Sequence, residues 1–440
     1  MSSRAIAALL LAPGAHAFVA TPLGSFPCRA GLTAGPGFAE MTGAEAAATL
    51  IISQFGGDPL EKDFVAAVPA IGALLAAGNV SRAACEPVAS VVWPNDVGAA
   101  SIGGASGLLA PGGFLVPPKT IGAITFLNWT VGGPPARASV LSAPKVLPGD
   151  GWFMHRAVQF DIDGDGRLDV LAARATKPLV EAPAGELFWL RAPAGDAPLA
   201  PAALPWAEAV LASGKWAPDV LFAPPVSLRA DADEQIYYTS FFTGGGLGMV
   251  ECKGCARAAG GMGTWAAAAP LTPVVLDATL GPSFDVATVD LNGDGRLDVL
   301  ATNHVDNATM PGATSLVVAY EAPRTGPLSN ASAWTRHVLA AGFAIREPGP
   351  NQAAPGGARA FSPPGGGARP WVSVSGDGDQ HAYVLVPTSS DPASWDYERI
   401  DVLDCKGTVG RQVHVDVGGA AFMIVPCYDS GRVYAFRLDN

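Results

Sequence analysis

Asp161-Ile162-Asp163-Gly164-Asp165-Gly166-Arg167-Leu168-Asp169 and Asp290-Leu291-Asn292-Gly293-Asp294-Gly295-Arg296-Leu297-Asp298 differ at only two of nine positions. Oxygen side chains at alternate positions, with Gly where the chain folds back, suit a hard divalent cation that takes six or more oxygen ligands, and calcium is the natural occupant. An EF-hand would need Glu at the twelfth position and flanking helices, but those positions are Ala172 and Ala301. Both stretches close instead at the ninth position. Apolar-rich runs lie on either side, Ala157–Phe160 with Val170–Ala173 and Val286–Val289 with Val299–Thr302. Each loop therefore reads as the turn of a β-hairpin. The expected ligands are the side chains of Asp161, Asp163, Asp165 and Asp169 with the Arg167 carbonyl, and those of Asp290, Asn292, Asp294 and Asp298 with the Arg296 carbonyl, giving about two calcium sites.

These loops resemble the calcium loops of FG-GAP (also called VCBS) repeats, the blades of integrin-alpha-like seven-bladed β-propellers. The resemblance implies an all-β fold, a propeller with seven blades, six being the alternative. Periodicity elsewhere agrees with a repeat of this length. Trp206, Trp265, Trp334 and Trp395 recur at separations of 59, 69 and 61, with Trp129 as a looser earlier copy. A short strand follows each loop, Gly185–Leu190 and Leu316–Tyr320, with relatives at Ile124–Leu127, Ala382–Leu385 and Val433–Phe436. Arg229–Tyr237, Ser375–Asp379 and Asp416–Gly419 read as degenerate loops without tight calcium. The Arg229 guanidinium is expected to replace the metal charge by pairing with Asp231 and Asp233. Blades are expected near 44–90, 91–145, 150–212, 215–272, 280–342, 355–402 and 408–440, with the segment near Thr49–Ser53 supplying the strand that the short last blade lacks. Ring closure removes exposed sheet edges.

The chain has 440 residues, 53 Gly, 39 Pro and a formal charge of −12. This composition supports a turn-rich domain with a large core and argues against a nucleic-acid partner, since clusters of Lys and Arg are lacking. Residues 1–17 read as a signal peptide with the mature chain starting at Phe18; 18–43 as a presequence remainder or extended N-terminal segment; 44–440 as the propeller. No transmembrane anchor is visible. Sequons at Asn79, Asn128, Asn307 and Asn330 and six Cys support a secreted glycoprotein. The alternative address is a plastid, because Ala17-Phe18 followed by a stretch free of acids to Phe38 resembles the bipartite presequence of algae with secondary plastids. Six Cys allow fifteen pairings. The expected set is Cys28 with Cys85, Cys252 with Cys255 and Cys405 with Cys427; for Cys252-Lys253-Gly254-Cys255 a half zinc site or redox pair are the weaker readings.

The sequence offers a scaffold rather than a reaction. It holds no nucleophile elbow, P-loop or dinucleotide fingerprint. Propeller sites form where loops converge around the channel, so His155, Arg156, Arg174, Lys177 and Asn303-His304-Val305-Asp306 are the candidates there. His155, Arg174 and His304 are the catalytic candidates, set against the plainer role of inter-blade hydrogen bonding. Met154-His155-Arg156 and the strand ending Phe188-Trp189-Leu190 are also similar to propeller blades of fungal aldos-2-ulose dehydratases, which implies a sugar pocket beside His155. The leading expectation is an exported monomeric module that binds a protein or glycan, with calcium structural; the enzymatic alternative is a carbohydrate lyase or isomerase.

Overall fold

A computed structural model describes residues 18–29, 34–147, 150–178, 180–255, 263–306, 310, 312–347, 352–367 and 369–440. Strand β1 (Val19–Pro27) precedes the first blade, which comprises β2 (Gly35–Thr42), β3 (Thr49–Phe55), β4 (Phe64–Val68) and β5 (Glu86–Ser90). The second holds β6 (Gly98–Ile102), β7 (Ala105–Pro111), β8 (Ile124–Asn128) and β9 (Arg137–Val140). A two-stranded ribbon, β10 (Val146–Leu147) with β11 (Asp150–Gly151), leads to the third: β12 (Phe153–Phe160), β13 (Asp169–Thr176), β14 (Ala184–Arg191) and β15 (Ala207–Ser213). The fourth has β16 (Glu234–Thr239), β17 (Leu247–Cys252) and β18 (Val274–Asp277); the fifth β19 (Ser283–Val289), β20 (Asp298–Asn303), β21 (Leu316–Glu321) and β22 (Thr335–Ala341). The sixth has β23 (Ala358–Phe361), β24 (Trp371–Ser375), β25 (His381–Pro387) and β26 (Tyr397–Asp404). The seventh has β27 (Val413–Val417), β28 (Ala420–Cys427) and β29 (Arg432–Asp439), and β1 completes it in the order β27-β28-β29-β1. The molecule is a seven-bladed β-propeller of antiparallel meanders.

Ring closure departs from expectation. Thr49–Ser53 lies in the second strand of blade one, and the missing outer strand comes from β1, paired with β29 from Val19↔Asp439 to Pro27↔Arg432. The β-structure thus begins well before residue 44. Pro22, Gly24 and Pro27 hide β1 from a pattern search, yet an outermost strand tolerates Pro because one of its edges has no partner to receive an N–H. Blade four departs as well: Pro224 and Pro225 break its innermost segment, which joins β16 only through isolated bridges, Phe222↔Tyr238 and Val226↔Gln235.

In each four-stranded blade the first strand lies nearest the axis and runs from one end of the ring, here the upper, to the other; in blade four the broken segment takes that place, so β16, β17 and β18 count as its second to fourth strands. The connections between blades, and those from second to third strands, gather at the upper end. Turns from first to second strands lie at the lower end. The two aspartate-rich loops are such lower turns, between β12 and β13 and between β19 and β20. Gly164 at φ 76° and Gly293 at φ 78° adopt the left-handed backbone these turns need. Ile162 and Leu291 at the second loop position are fully buried and plug the cores between successive blades. Ser375–Asp379 is not a degenerate lower loop, since it connects β24 to β25 at the upper end. Arg229 donates to Asp231 at 3.0 Å and also reaches the carbonyls of Pro323 and Gly326.

The recurring tryptophans all fall between third and fourth strands, where Trp206 and Trp334 donate to the carbonyls of Pro198 and Leu328. All three expected disulfides are present. Asn79, Asn128 and Asn330 are exposed; Asn307 and residues 1–17, the expected signal peptide, lie outside the described residues. Among the described residues no helix is long and apolar enough to cross a membrane.

Candidate functional site

His155 and His304 come together at the upper end of the channel, one on each side of Phe284. His155 packs edge-on against Phe284 and Phe38, each at 5.9 Å between ring centroids, and His304 stacks on Phe284 at 4.7 Å. Burial drives the His155 imidazole down to about 3, against the pull of Asp96, and its Nδ1 has no hydrogen-bond partner among the described residues. Burial also lowers His304 to about 4, while its Nδ1 lies 2.8 Å from the Pro355 carbonyl, which fixes the proton on that nitrogen. Both rings are neutral at physiological pH. Asn303, beside His304, staples the upper loop of blade five through Leu280, Thr314 and Leu316 backbone groups.

Arg174 does not join them. Its guanidinium is fully buried, donates to Glu186 and Glu208 on β14 and β15, and lies over the Phe188 ring. Two carboxylates engage all three of its nitrogens beneath an aromatic face, so it ties the third blade together instead of facing the channel. Lys177 is exposed, with its ammonium 5.6 Å from the Phe242 ring.

Below the histidines, charged groups from six blades cross the axis. Arg156 donates to Asp96 at 3.3 Å, to Asp285 at 3.4 Å and to the Phe222 carbonyl that the broken strand of blade four leaves free. Arg411 donates to Asp96, and Arg359 to Glu40 at 3.2 Å. Three arginines thus face three carboxylates. Arg411 and Arg156 hold the Asp96 carboxyl far below the usual carboxylate range although burial opposes this. The cluster links blades that share no sheet.

Above it runs a closed circuit of aromatic rings that the sequence did not reveal. Phe38 meets Phe55 (6.0 Å), Phe55 stacks on Trp93 (4.9 Å), Trp93 on Phe114 (5.0 Å), and Phe114 meets Phe153 (5.5 Å). Phe153 meets Phe242 (5.7 Å), Phe242 meets Phe241 (4.7 Å), and Phe241 meets Phe284 (6.4 Å); His155 then returns the circuit to Phe38. Most of these rings, Phe38, Phe55, Phe114, Phe241, Phe242 and Phe284 among them, remain partly exposed. A Cβ on Gly37 would come within 2.3 Å of the Phe55 ring, so glycine there is what lets Phe55 lie across β2.

Buried carboxylates hold the collar loops. Asp219 accepts from the backbone N–H of Phe241, Phe242 and Thr243; even so, burial leaves its carboxyl pushed up to about 6. Asp63 accepts from Gly56 and Trp93 N–H and pairs with the buried Lys119 at 2.8 Å. A usable sequence signal existed. Phe153 and Phe284 each stand at the head of an inner strand just ahead of a charged position, and Phe241-Phe242 is an aromatic doublet in an upper loop.

At the lower end, one oxygen each from Asp161, Asp163 and Asp169 lie within 4.8 Å of one another. Asp161 accepts from Gly164 and Gly166 N–H, as Asp290 does from Gly293 and Gly295. Asp169 and Asp298 each accept from the second loop residue, Ile162 and Leu291. Burial, reinforced by neighbouring carboxylates, pushes Asp169 up to about 6 and Asp298 to about 7. In the first loop the anionic oxygens gathered at one point form a donor set that fits a hard cation.

Among solved structures the chain is similar to an ancestral GH74 enzyme at 10% identity and TM-score 0.51, over 93% of this chain and 48% of that one. It therefore spans about half the length of that enzyme. It is also similar to an alpha-L-arabinanase from Penicillium chrysogenum complexed with arabinobiose, at 8% identity and TM-score 0.42, over 95% and 98% of the two chains. At such identities the likeness is one of fold. No protein-family model and no curated protein matches the chain.

Proposed function

We propose that this chain is an exported, monomeric glycan-binding β-propeller whose repeats are of the FG-GAP/VCBS kind, with calcium as a structural ion in the two lower loops. The observation that carries this reading is the collar of partly exposed rings around the upper channel mouth. The C–H faces of a sugar ring stack on aromatic faces, and contiguous exposed apolar surface at a channel mouth marks a binding site. Of the charges beside the collar, Lys119 with Asp63 and Arg156 with Asp96 are already paired, while the exposed Lys177 lies over the Phe242 ring. What the collar presents is therefore mainly stacking surface. In the lower loops the oxygens of Asp161, Asp163, Asp165 and Asp169, and of Asp290, Asn292, Asp294 and Asp298, would hold calcium and fix the hairpins.

Calorimetry with a panel of defined oligosaccharides tests the collar. Phe114→Ala and Phe242→Ala are each expected to weaken binding about tenfold, roughly 1.4 kcal/mol, with little change in Tm because both rings are partly exposed. Unchanged affinity in both variants, or binding of a protein ligand alone, would overturn the glycan assignment. The exposed sequons at Asn79, Asn128 and Asn330 should carry glycans when the chain passes through a eukaryotic secretory pathway. A mass shift on enzymatic deglycosylation checks this, and an unmodified secreted chain would contradict it.

A second reading, a carbohydrate lyase or isomerase, draws on one contact. His304 Nε2 lies 4.0 Å from Asp377 Oδ2, and burial together with the nearby Asp429 pushes the Asp377 carboxyl up to about 7. A protonated acid beside a neutral imidazole is a pair suited to proton transfer. Turnover of sugar or anhydro-sugar substrates would then fall as pH rises through about 7, where Asp377 loses its proton. Activity would also be lost in His304→Ala and reduced in His155→Ala; turnover indifferent to both substitutions removes this reading.

A further inference from the structure

A second cavity, of about 270 Å³, opens on the other side of the ionic cluster, between the inner strands of blades six and seven and toward the lower end. Glu40, Arg359, Phe361, Val413, His414 and Val415 are among its walls. His414 lies flat on Phe361, with centroids 3.7 Å apart and planes at 8°. Burial, helped by the charge of Arg359, drives the imidazole down to about 3, so the ring is neutral; its Nε2 has no hydrogen-bond partner among the described residues. Behind the cavity wall, Arg411 is 4% exposed and likewise leaves Nε and Nη1 without a hydrogen-bond partner among the described residues.

The surrounding carboxylates are in the opposite condition. Asp96 is bonded by Arg156 and Arg411, and Asp285 accepts from Arg156 and from the Val286 N–H. Glu40 accepts from Arg359 and from the Met41 N–H, and its Oε2 lies 3.8 Å from Arg411 Nη2. The cluster is balanced in charge yet has more donors than acceptors. Buried donors without acceptors are rare, and such a surplus calls for an acceptor from outside. Glu40, reaching both guanidiniums at long distances, already stands where a better-placed carboxylate would bind.

We propose that this cavity is a binding site for a small organic monocarboxylate, whose carboxylate takes the Arg359 donors in competition with Glu40 while its apolar body packs on Val413, Val415 and Phe361. Arginine presents the planar fork that matches a carboxylate, and the remaining wall is aliphatic and aromatic. The exposed Asp416 on the rim repels a second negative charge and limits the ligand to one. This site stands apart from the collar and does not depend on the glycan reading.

The test compares benzoate and butyrate with benzamide and butyramide, read by calorimetry and by the His414 ring signals of protein carrying labelled histidine. The acids are expected to bind at least tenfold more tightly than the amides and to shift the His414 resonances. Arg359→Gln should abolish acid binding, and Glu40→Gln should tighten it at least threefold by removing the competitor. Equal binding of acid and amide, no binding of either, or weaker benzoate binding in Glu40→Gln would each overturn the proposal. Should Arg359→Gln fail to fold, the acid–amide comparison on the wild-type protein and the Glu40→Gln variant decide the matter alone.

Discussion

Stripping the protein with EDTA is expected to lower its melting temperature by roughly 5–10 °C, and excess calcium should restore it. The size follows from linkage. A site saturated at a hundred to a thousand times its dissociation constant stabilises by about 3 to 4 kcal/mol, and unfolding entropy for a chain of this length converts two such sites into a shift of that order. Asp161, Asp163 and Asp169 crowd one point with only Arg191, among the described residues, paired to Asp163, and Asp169 and Asp298 are pushed toward the protonated form by burial and by their neighbours. Calcium should surpass magnesium at equal concentration, because the loops offer many oxygens without rigid octahedral order. Asp169→Ala or Asp298→Ala should each remove about half the calcium effect. Both loops lie at the lower end, so a collar ligand should bind about equally well to the calcium-free protein at temperatures where it remains folded. An unchanged melting temperature on chelation would exclude structural calcium, and abolished ligand binding in a folded calcium-free protein would exclude a purely structural role.

What was legible in the chain followed from local chemistry. The aspartate-rich loops fixed two lower turns because side-chain oxygens capping backbone N–H groups leave a nine-residue signature. The third strands at Gly185–Leu190, Leu316–Tyr320 and Ala382–Leu385 could be read because they are largely buried on both faces and, Glu186 apart, carry no charged residue. Fifteen cysteine pairings were open from the sequence, and the structure has the expected set. Features set by assembly were hidden. Arg174 resembled a channel cation by its place in the repeat, yet Glu186 and Glu208, which claim it, lie 12 and 34 residues away along the chain. Ser375–Asp379 resembles a metal loop in composition, but its position between second and third strands puts it at the opposite end of the ring. The collar escaped notice because its rings come from strand ends and upper connections of five blades, each holding one or two aromatics that mean little alone.

Ring closure should prove as sensitive as the calcium loops. Strand β1 supplies the outer edge of blade seven, and its Cys28 is bonded to Cys85 at the entry to β5, across a sequence separation of 57. In the chain-entropy picture a loop of that length stabilises by about 4 kcal/mol. The Cys28→Ser/Cys85→Ser double variant is therefore expected to melt about 5 °C lower, and unlike the wild type it should be indifferent to reductant at this position. Phe26 is fully buried within the core that joins blades seven and one, so Phe26→Ala should cost about 3 to 5 kcal/mol. Deleting residues 18–27 goes further. It uncovers β29, whose buried residues Val433, Ala435 and Leu438 would then border an unpaired sheet edge, and such edges recruit other chains. The deleted protein should elute as oligomers or aggregate, whereas an intact ring should remain monomeric; a monomeric deletion variant with unchanged melting temperature would show that β1 does not close the ring. The same strand bears on the address of the protein. Cleavage before Phe18 leaves β1, Cys28 and Phe38 in place, while removal of a plastid-type presequence through Phe38 takes all three. The expected amino terminus of the mature protein is Phe18; Edman sequencing or intact mass that places it beyond Pro27 would contradict the closure, and one beyond Phe38 the collar as well.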